Sequence, residues 1–131
     1  MWSLGIVGLG SALGGMVRYL VGGAIQRLVE TTFPLGTLIV NITGSFLIGI
    51  ILRFSLDTTA ITPDVRAFLT IGFCGGYTTF STFSWETVRL LEDGDYGRAS
   101  LYLALSFGLS IGATALGIVA AKELLALHRA G

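Results

Sequence analysis

Residues 72–86 read GFCGGYTTFSTFSWE, an apolar stretch that carries no charge before its last residue. Gly75-Gly76 followed by Thr78-Thr79 favours helix poorly, because glycine and β-branched residues have low helix propensity. Irregular backbone inside a bilayer is tolerated only where it is buried in protein or lines a cavity. The stretch therefore predicts a membrane helix that is broken near Gly75–Thr79. Such a break would free carbonyls that could hold a cation and N–H groups that could face an anion.

The composition of the whole chain is that of a membrane protein. Of 131 residues, 53% are hydrophobic and 12% are charged, and the mean hydropathy is +0.81. A soluble domain carries about 25% charged residues. Eight basic and eight acidic residues give zero formal net charge, which argues against a nucleic-acid binder. With one cysteine and one histidine, the chain has no material for a disulfide, a cysteine zinc site or a histidine triad, so we do not expect an enzyme.

Long apolar runs predict an all-α membrane protein with four transmembrane helices, at about residues 3–25, 34–56, 67–90 and 98–123. They fill most of residues 1–131, which we read as a single four-helix transmembrane domain. The first run has no Lys or Arg in residues 1–5, so we expect a retained helix and not a signal peptide. Four spans place both termini on the same side of the membrane.

The charges that usually orient a membrane protein are balanced here. One side would carry Arg53, Arg66, Lys122 and Arg129, and the other Arg27, Arg89 and Arg98. The positive-inside rule therefore gives no clear orientation. Either the folding context overrides a weak signal, or the chain inserts both ways and pairs with an inverted copy of itself.

Three glycine pairs have the spacing that lets helix backbones approach closely: Gly10/Gly14, Gly72/Gly76 and Gly108/Gly112. Each pair alone is compatible with generic tight packing. Together they predict a bundle whose helices are packed on several sides. Because four helices are few for enclosing a polar pathway, we expect an oligomer.

Polar side chains repeat every fourth residue along two spans, so that each set shares a helix face. The sets are Thr37, Asn41 and Ser45 in the second span, and Tyr102, Ser106, Ser110 and Thr114 in the fourth. Hydroxyl and amide groups donate hydrogen bonds without a full charge, which would suit a small, strongly hydrated anion. Hydrogen bonding between helices is the competing interpretation.

The third span adds Phe80 and Phe83 on one face, whose positive ring edges could flank an anion, although for such a pair alone lipid or core packing is the favoured interpretation. Arg18, inside the first span, is either functional or reaches the interface with its long side chain. Glu86 ends the third charge-free stretch, and the spacing predicts Arg89 as its helix-face partner.

Three stretches of this sequence resemble the motifs of the Fluc/CrcB family of bacterial fluoride-specific ion channels. They are residues 14–19 (GGMVRY), 34–46 (PLGTLIVNITGSF) and 75–86 (GGYTTFSTFSWE). The resemblance covers essentially the whole chain, in order. It implies a homodimer of antiparallel chains with dual topology, in the bacterial cytoplasmic (inner) membrane, with two fluoride pores at the interface.

The resemblance also implies site residues. A structural Na⁺ at the dimer centre would be held by the backbone carbonyls of Gly75 and Thr78. The fluoride pathway would comprise Asn41, Phe80, Phe83, Ser81, Thr82, Tyr102, Ser106, Ser110 and Arg18. The implied activity is passive efflux of fluoride, which lowers cytoplasmic fluoride.

Two other functions remain open from the residues alone. A proton-coupled small exporter of the four-helix antiparallel-dimer type would need a membrane carboxylate, for which only Glu86 is available. An inert assembly subunit or holin is the second. Neither requires the polar faces together with a break in the Gly75–Phe83 segment.

Overall fold

The computed structural model describes all residues from 1 to 131, and every regular element in it is helical. The elements are α1 (Trp2–Val29), α2 (Leu35–Asp57), α3 (Pro63–Ala67), a π-helical segment (Phe68–Cys74), α4 (Gly75–Tyr77), α5 (Phe80–Glu92) and α6 (Tyr96–Ala130). The prediction of an all-α protein is confirmed.

Three helices, α1, α2 and α6, are long and apolar enough to cross a membrane. They correspond to the first, second and fourth predicted spans, of which the second was expected to begin one residue before α2. The last helix continues to Ala130, past the expected end at residue 123, because the segment from Lys122 onward consists of good helix formers without glycine or proline. Most large apolar side chains on these helices are exposed, as expected for surfaces that face lipid.

The region between α2 and α6 consists of several short helical segments in series. Thr62 caps α3 by accepting the Val65 N–H at 3.3 Å, with Pro63 in the first turn. The π-helical segment continues directly into α4, which ends at Tyr77. Thr78 (φ −83°, ψ 157°) and Thr79 (φ −150°, ψ 117°) are extended, and α5 begins at Phe80.

Glycines bring α1 against the π-helical segment and α4. A Cβ atom on Gly14 would collide with the Phe73 carbonyl oxygen, and one on Gly76 with the Ser11 carbonyl oxygen. We call this close packing of α1, at Gly10 and Gly14, against the segment that contains Gly72 and Gly76 the glycine seam. The close packing predicted for these two pairs is confirmed.

The third glycine pair behaves differently. A Cβ on Gly108 or Gly112 would meet nothing within 4 Å, and both residues are exposed. Within the single chain this pair therefore meets no other helix, and the close helix approach predicted for it stays a prediction. The close contact between α2 and α6 is made instead by Gly49, against the Thr114 carbonyl, and by Gly117, against the Phe46 carbonyl. Spacing alone does not say which glycines meet a partner helix.

A small core joins α2, α5 and α6 and consists of Leu38, Phe83 and Tyr102. Phe33, in the loop between α1 and α2, packs edge-on against Tyr102, with ring centroids 5.6 Å apart. The core therefore fixes the start of α5 against the polar face of α6.

Candidate ion pathway

Asn41 of α2 holds Thr79, the second of the two extended residues, in place. Its Nδ2 group donates to the Thr79 carbonyl at 3.0 Å, and its Oδ1 atom accepts the Thr79 N–H at 2.8 Å. In an uninterrupted helix, that N–H would bond to the carbonyl of Gly75. The amide of Asn41 therefore replaces the missing helical hydrogen bond, which explains how a polar side chain is accommodated among apolar helices.

The carbonyls of Gly75 and Thr78 both lose their helical donors. The Thr79 N–H is bound to Asn41, and the Thr82 N–H donates to Thr79 Oγ1 at 3.1 Å instead of to the Thr78 carbonyl. Gly75 is exposed and Thr78 is half-buried. Two carbonyl oxygens without i+4 donors are therefore available close to one another along the chain, and oxygen atoms are the ligands that hard cations prefer. The two predicted cation-binding residues fit such an ion.

A cavity of about 380 Å³ lies beside Thr78 and Thr79, the two extended residues between α4 and α5, which we call the break. Seven of the predicted site residues line it: Asn41, Gly75, Thr78, Phe80, Phe83, Ser106 and Ser110. The Ser106 Oγ atom is buried and has no hydrogen-bond partner within the chain. A buried donor without a partner is costly, so this hydroxyl is available to something that enters the cavity.

The two predicted phenylalanines lie together but in different surroundings. Their ring centroids are 5.6 Å apart, with the rings inclined by 47°. Phe83 is 5% exposed and packs on Tyr102 at 5.1 Å, whereas Phe80 is 72% exposed. Phe107, which also lines the 380 Å³ cavity (the smaller of two), meets Phe83 edge-on with ring centroids 5.8 Å apart. One ring is therefore anchored in the core and the other lies on the surface of the single chain.

Some hydroxyl groups along α6 have hydrogen-bond partners within the chain, and others do not. Tyr102 is fully buried, and its hydroxyl has no hydrogen-bond partner. Ser106 is also buried without a partner, and Ser110 is half-buried. Thr114 instead shares its hydrogen between the carbonyls of Ser45 and Ser110, both at 3.1 Å. The free donors therefore end before Thr114.

A larger cavity, of about 1150 Å³, lies between α1, α2 and α5. Arg18, Thr82 and Glu86 line it, and Thr79 lines both cavities. Glu86 accepts a hydrogen bond of 2.5 Å from the Thr37 hydroxyl. The prediction that Arg89 is the partner of Glu86 is wrong, because Arg89 pairs with Glu92 at 3.0 Å on the exposed side of α5.

Two predicted residues, Ser81 and Tyr102, line neither cavity. One residue that connects both cavities, Thr79, was absent from the predicted site. It is 8% exposed, caps α5 and is bound by Asn41. Its sequence signal was a threonine directly before a helical segment, which is the pattern of an N-cap residue.

Comparison with known proteins shows the family of this chain. The family model described as CrcB-like protein, Camphor Resistance (CrcB), matches residues 5–118. A protein of Geobacter metallireducens named "Fluoride-specific ion channel FluC" is 48% identical over 124 residues, covering 95% of this chain and 100% of the relative. The protein of that name from Geobacter sulfurreducens is 50% identical over 113 residues, covering 86% and 91%. One from Sulfurihydrogenibium sp. is 41% identical over 119 residues, covering 91% and 96%. With this extent of similarity along a chain that has three helices able to cross a membrane, the protein belongs to the CrcB-like family.

Proposed function

We propose that this protein is a fluoride-specific ion channel that lets fluoride leave the cell passively across the bacterial inner membrane. The observation that carries the proposal is a pair of buried donors without partners in α6, Tyr102 Oη and Ser106 Oγ, of which Ser106 lines the cavity beside the break. The names of the relatives, each a fluoride-specific ion channel, point to the same anion.

The chemistry of these donors suits fluoride. A small anion holds its water strongly and needs hydrogen-bond donors in exchange for it. Neutral hydroxyls supply donors without the fixed charge that would trap the ion. The edges of the Phe80 and Phe83 rings carry partial positive charge and add a weak attraction along a narrow path. A hydrogen-bonding path of this kind favours an ion that gains most from donors.

The proposed route begins in the larger cavity. Arg18 attracts anions there, and Thr82 contributes a hydroxyl at the end of that cavity nearest the break. From Thr79 the route enters the smaller cavity, past Asn41 and the two phenylalanines, toward Ser106 and Ser110. Tyr102, which packs on Phe83, would add its free hydroxyl to this path, and Ser81 would act through its contact with Thr79.

We further propose that the residues from Pro63 to Glu92 together form a third membrane span, broken at Thr78–Thr79, within a single four-helix domain. Two chains would associate in antiparallel orientation, with dual topology in the membrane. The balanced basic residues support insertion both ways. The exposed Gly108 and Gly112 of α6, and the exposed Phe80 beside the smaller cavity, support a second chain at this face.

A structural Na⁺ at the dimer centre fits the two carbonyls that lack helical donors. Gly75 and Thr78 of each chain would hold it through backbone oxygens, two from each chain. The ion would supply positive charge where carbonyl dipoles converge and so favour assembly of the dimer. Asn41 and Thr79 keep these carbonyls free, because they bind the N–H groups that would otherwise occupy them.

The test is fluoride efflux from proteoliposomes, followed with a fluoride electrode and repeated with chloride. We expect fluoride to leave rapidly with and without a pH gradient, while chloride stays inside. Release that requires an opposing proton gradient would overturn the channel and favour a proton-coupled exporter that uses Glu86. Liposomes without protein provide the leak control, and absence of any release would also contradict the proposal.

A further inference from the structure

We propose that Thr79 is a positioning residue that directs the hydroxyl hydrogen of Thr82, and not that of Ser81, toward a passing anion. The inference rests on the proposed function, because it names the donor that α5 contributes to the fluoride route. It is based on the hydrogen bonds among three hydroxyl groups at the first turn of α5.

The hydrogens of these groups can be assigned one by one. Each hydroxyl has one hydrogen and two lone pairs. Thr79 Oγ1 donates its hydrogen to Thr82 Oγ1 at 3.0 Å and accepts the Thr82 N–H at 3.1 Å. Ser81 Oγ lies 3.4 Å from Thr79 Oγ1. Because the Thr79 hydrogen is already used, Ser81 must be the donor in that contact. The hydrogen of Ser81 is thus directed inward, and only the hydrogen of Thr82 is free.

The positions of the two outer hydroxyls agree with this assignment. Both residues are exposed, but Thr82 lines the larger cavity, whereas Ser81 lines neither cavity. A hydroxyl that accepts a hydrogen bond becomes a stronger donor, because successive hydrogen bonds polarise one another. Thr79 therefore both orients Thr82 and strengthens it as a donor to an anion in the cavity.

The geometry depends on Thr79 being fixed. Its side chain and backbone are 8% exposed. Asn41 binds its backbone N–H at 2.8 Å and its carbonyl at 3.0 Å, so the residue cannot rotate without losing both hydrogen bonds. The Thr79 hydroxyl itself has no hydrogen left for the anion, which makes its effect indirect.

The experiment measures the fluoride concentration that gives half-maximal flux into proteoliposomes. Thr82→Val should raise this concentration about tenfold, since a hydrogen bond to a charged group changes an equilibrium constant by roughly that factor or more. Ser81→Ala should raise it by at most about threefold, because its hydrogen is already directed at Thr79. Equal effects of the two substitutions would overturn the inference.

A double-mutant cycle tests whether Thr79 acts through Thr82. Thr79→Val should raise the half-saturating concentration about tenfold in the wild-type background and have no further effect on Thr82→Val. Thr79→Ser, which keeps the hydroxyl, should restore a value within about twofold of wild type, on the same reasoning. Independent, multiplying effects would show that Thr79 has only a structural role.

The measurements distinguish failure of this inference about Thr79 from failure of the proposed function. A wild-type protein that does not conduct fluoride would contradict the proposed function itself. A conducting wild type with equal losses from Ser81→Ala and Thr82→Val would overturn only the role of Thr79. Size-exclusion chromatography checks assembly of each variant. Should Thr79→Val fail to assemble, the comparison of Ser81→Ala with Thr82→Val still decides, because neither changes Thr79.

Discussion

Gly72 and Gly76 of the glycine seam are close in sequence to the break at Thr78–Thr79, but different interactions stabilise the seam and the break. At the seam, α1 approaches the π-helical segment and α4 so closely that a methyl group on Gly14 or Gly76 would meet backbone. At the break, the chain is held by the two hydrogen bonds from Asn41. The seam leaves no room for an ion, and the break leaves cavities on both sides. Rigid packing therefore supports a polar site that packing alone could not form.

The largest expected effect comes from filling the seam. Gly14→Ala or Gly76→Ala should destabilise the protein by about 3 kcal/mol, because each added methyl group would have to displace backbone and not a movable side chain. Thermal unfolding in detergent and size-exclusion chromatography would measure this. Gly8→Ala is the matched control on α1, since a Cβ there meets nothing within 4 Å. If Gly14→Ala is as stable as Gly8→Ala, the seam is not closely packed.

Next in size is the loss of a ring at the break. Phe80→Ile and Phe83→Ile should each reduce fluoride flux by about a hundredfold, because each ring both shapes the narrow path and presents a positive edge to the ion, and losing positioned contacts of this kind costs on that order. The assembled protein should persist in both. Fluoride efflux and size-exclusion chromatography would be measured together. Phe46→Ile is the matched control, because Phe46 is partly exposed on α2 and lines neither cavity. Wild-type flux in both ring variants would remove the phenylalanines from the route.

A smaller effect on stability is expected from the side chain that bridges the break. Asn41→Ala leaves the N–H and the carbonyl of Thr79 without their partners, which should cost about 2 kcal/mol. Thermal unfolding would measure the loss. Ser55→Ala serves as the control, because the Ser55 hydroxyl bonds only to its own helix at Leu52. A melting temperature for Asn41→Ala equal to that of Ser55→Ala would mean that the break is held by other contacts.

The smallest effect on fluoride flux is expected at Thr114, which follows the α6 hydroxyls that have no hydrogen-bond partner. We call that series of hydroxyls the donor track. Thr114→Val removes a hydroxyl whose hydrogen is already shared between two backbone carbonyls, so fluoride flux should change by less than about threefold. Ser106→Ala, by contrast, removes a donor without a partner and should reduce flux by about tenfold. Efflux assays on the two variants side by side make the comparison. Equal losses would extend the track to Thr114.

The sequence predicted the helices better than their contacts. Hydropathy places α1, α2 and α6, because length and apolar character are local properties. The poor helix propensity of Gly75-Gly76-Tyr77-Thr78-Thr79 indicated irregular backbone, although Gly75–Tyr77 is helical and the extended residues are Thr78 and Thr79. That narrower location depends on Asn41, whose hydrogen bonds form only when α2 lies alongside.

Contacts between segments that are distant in sequence were harder to predict than the helices themselves. The spacing of Gly108/Gly112 is the same as that of Gly10/Gly14, but only the second pair meets another helix of the chain. Glu86 pairs with Thr37 on α2 and not with its helix neighbour Arg89. Thr79 gave no pattern beyond a possible cap, because its role comes from Asn41 and Thr82 together. Each of these features is set by tertiary packing, which local spacing does not specify.

The central claim is that fluoride crosses the membrane passively through the cavities that meet at Thr79. The most direct measurement is the reversal potential of the current across a planar bilayer, with unequal fluoride and unequal pH on the two sides. A passive fluoride channel predicts reversal at the fluoride equilibrium potential, unchanged when the pH gradient is inverted. A reversal potential that moves with the pH gradient, or that follows chloride, would contradict the account.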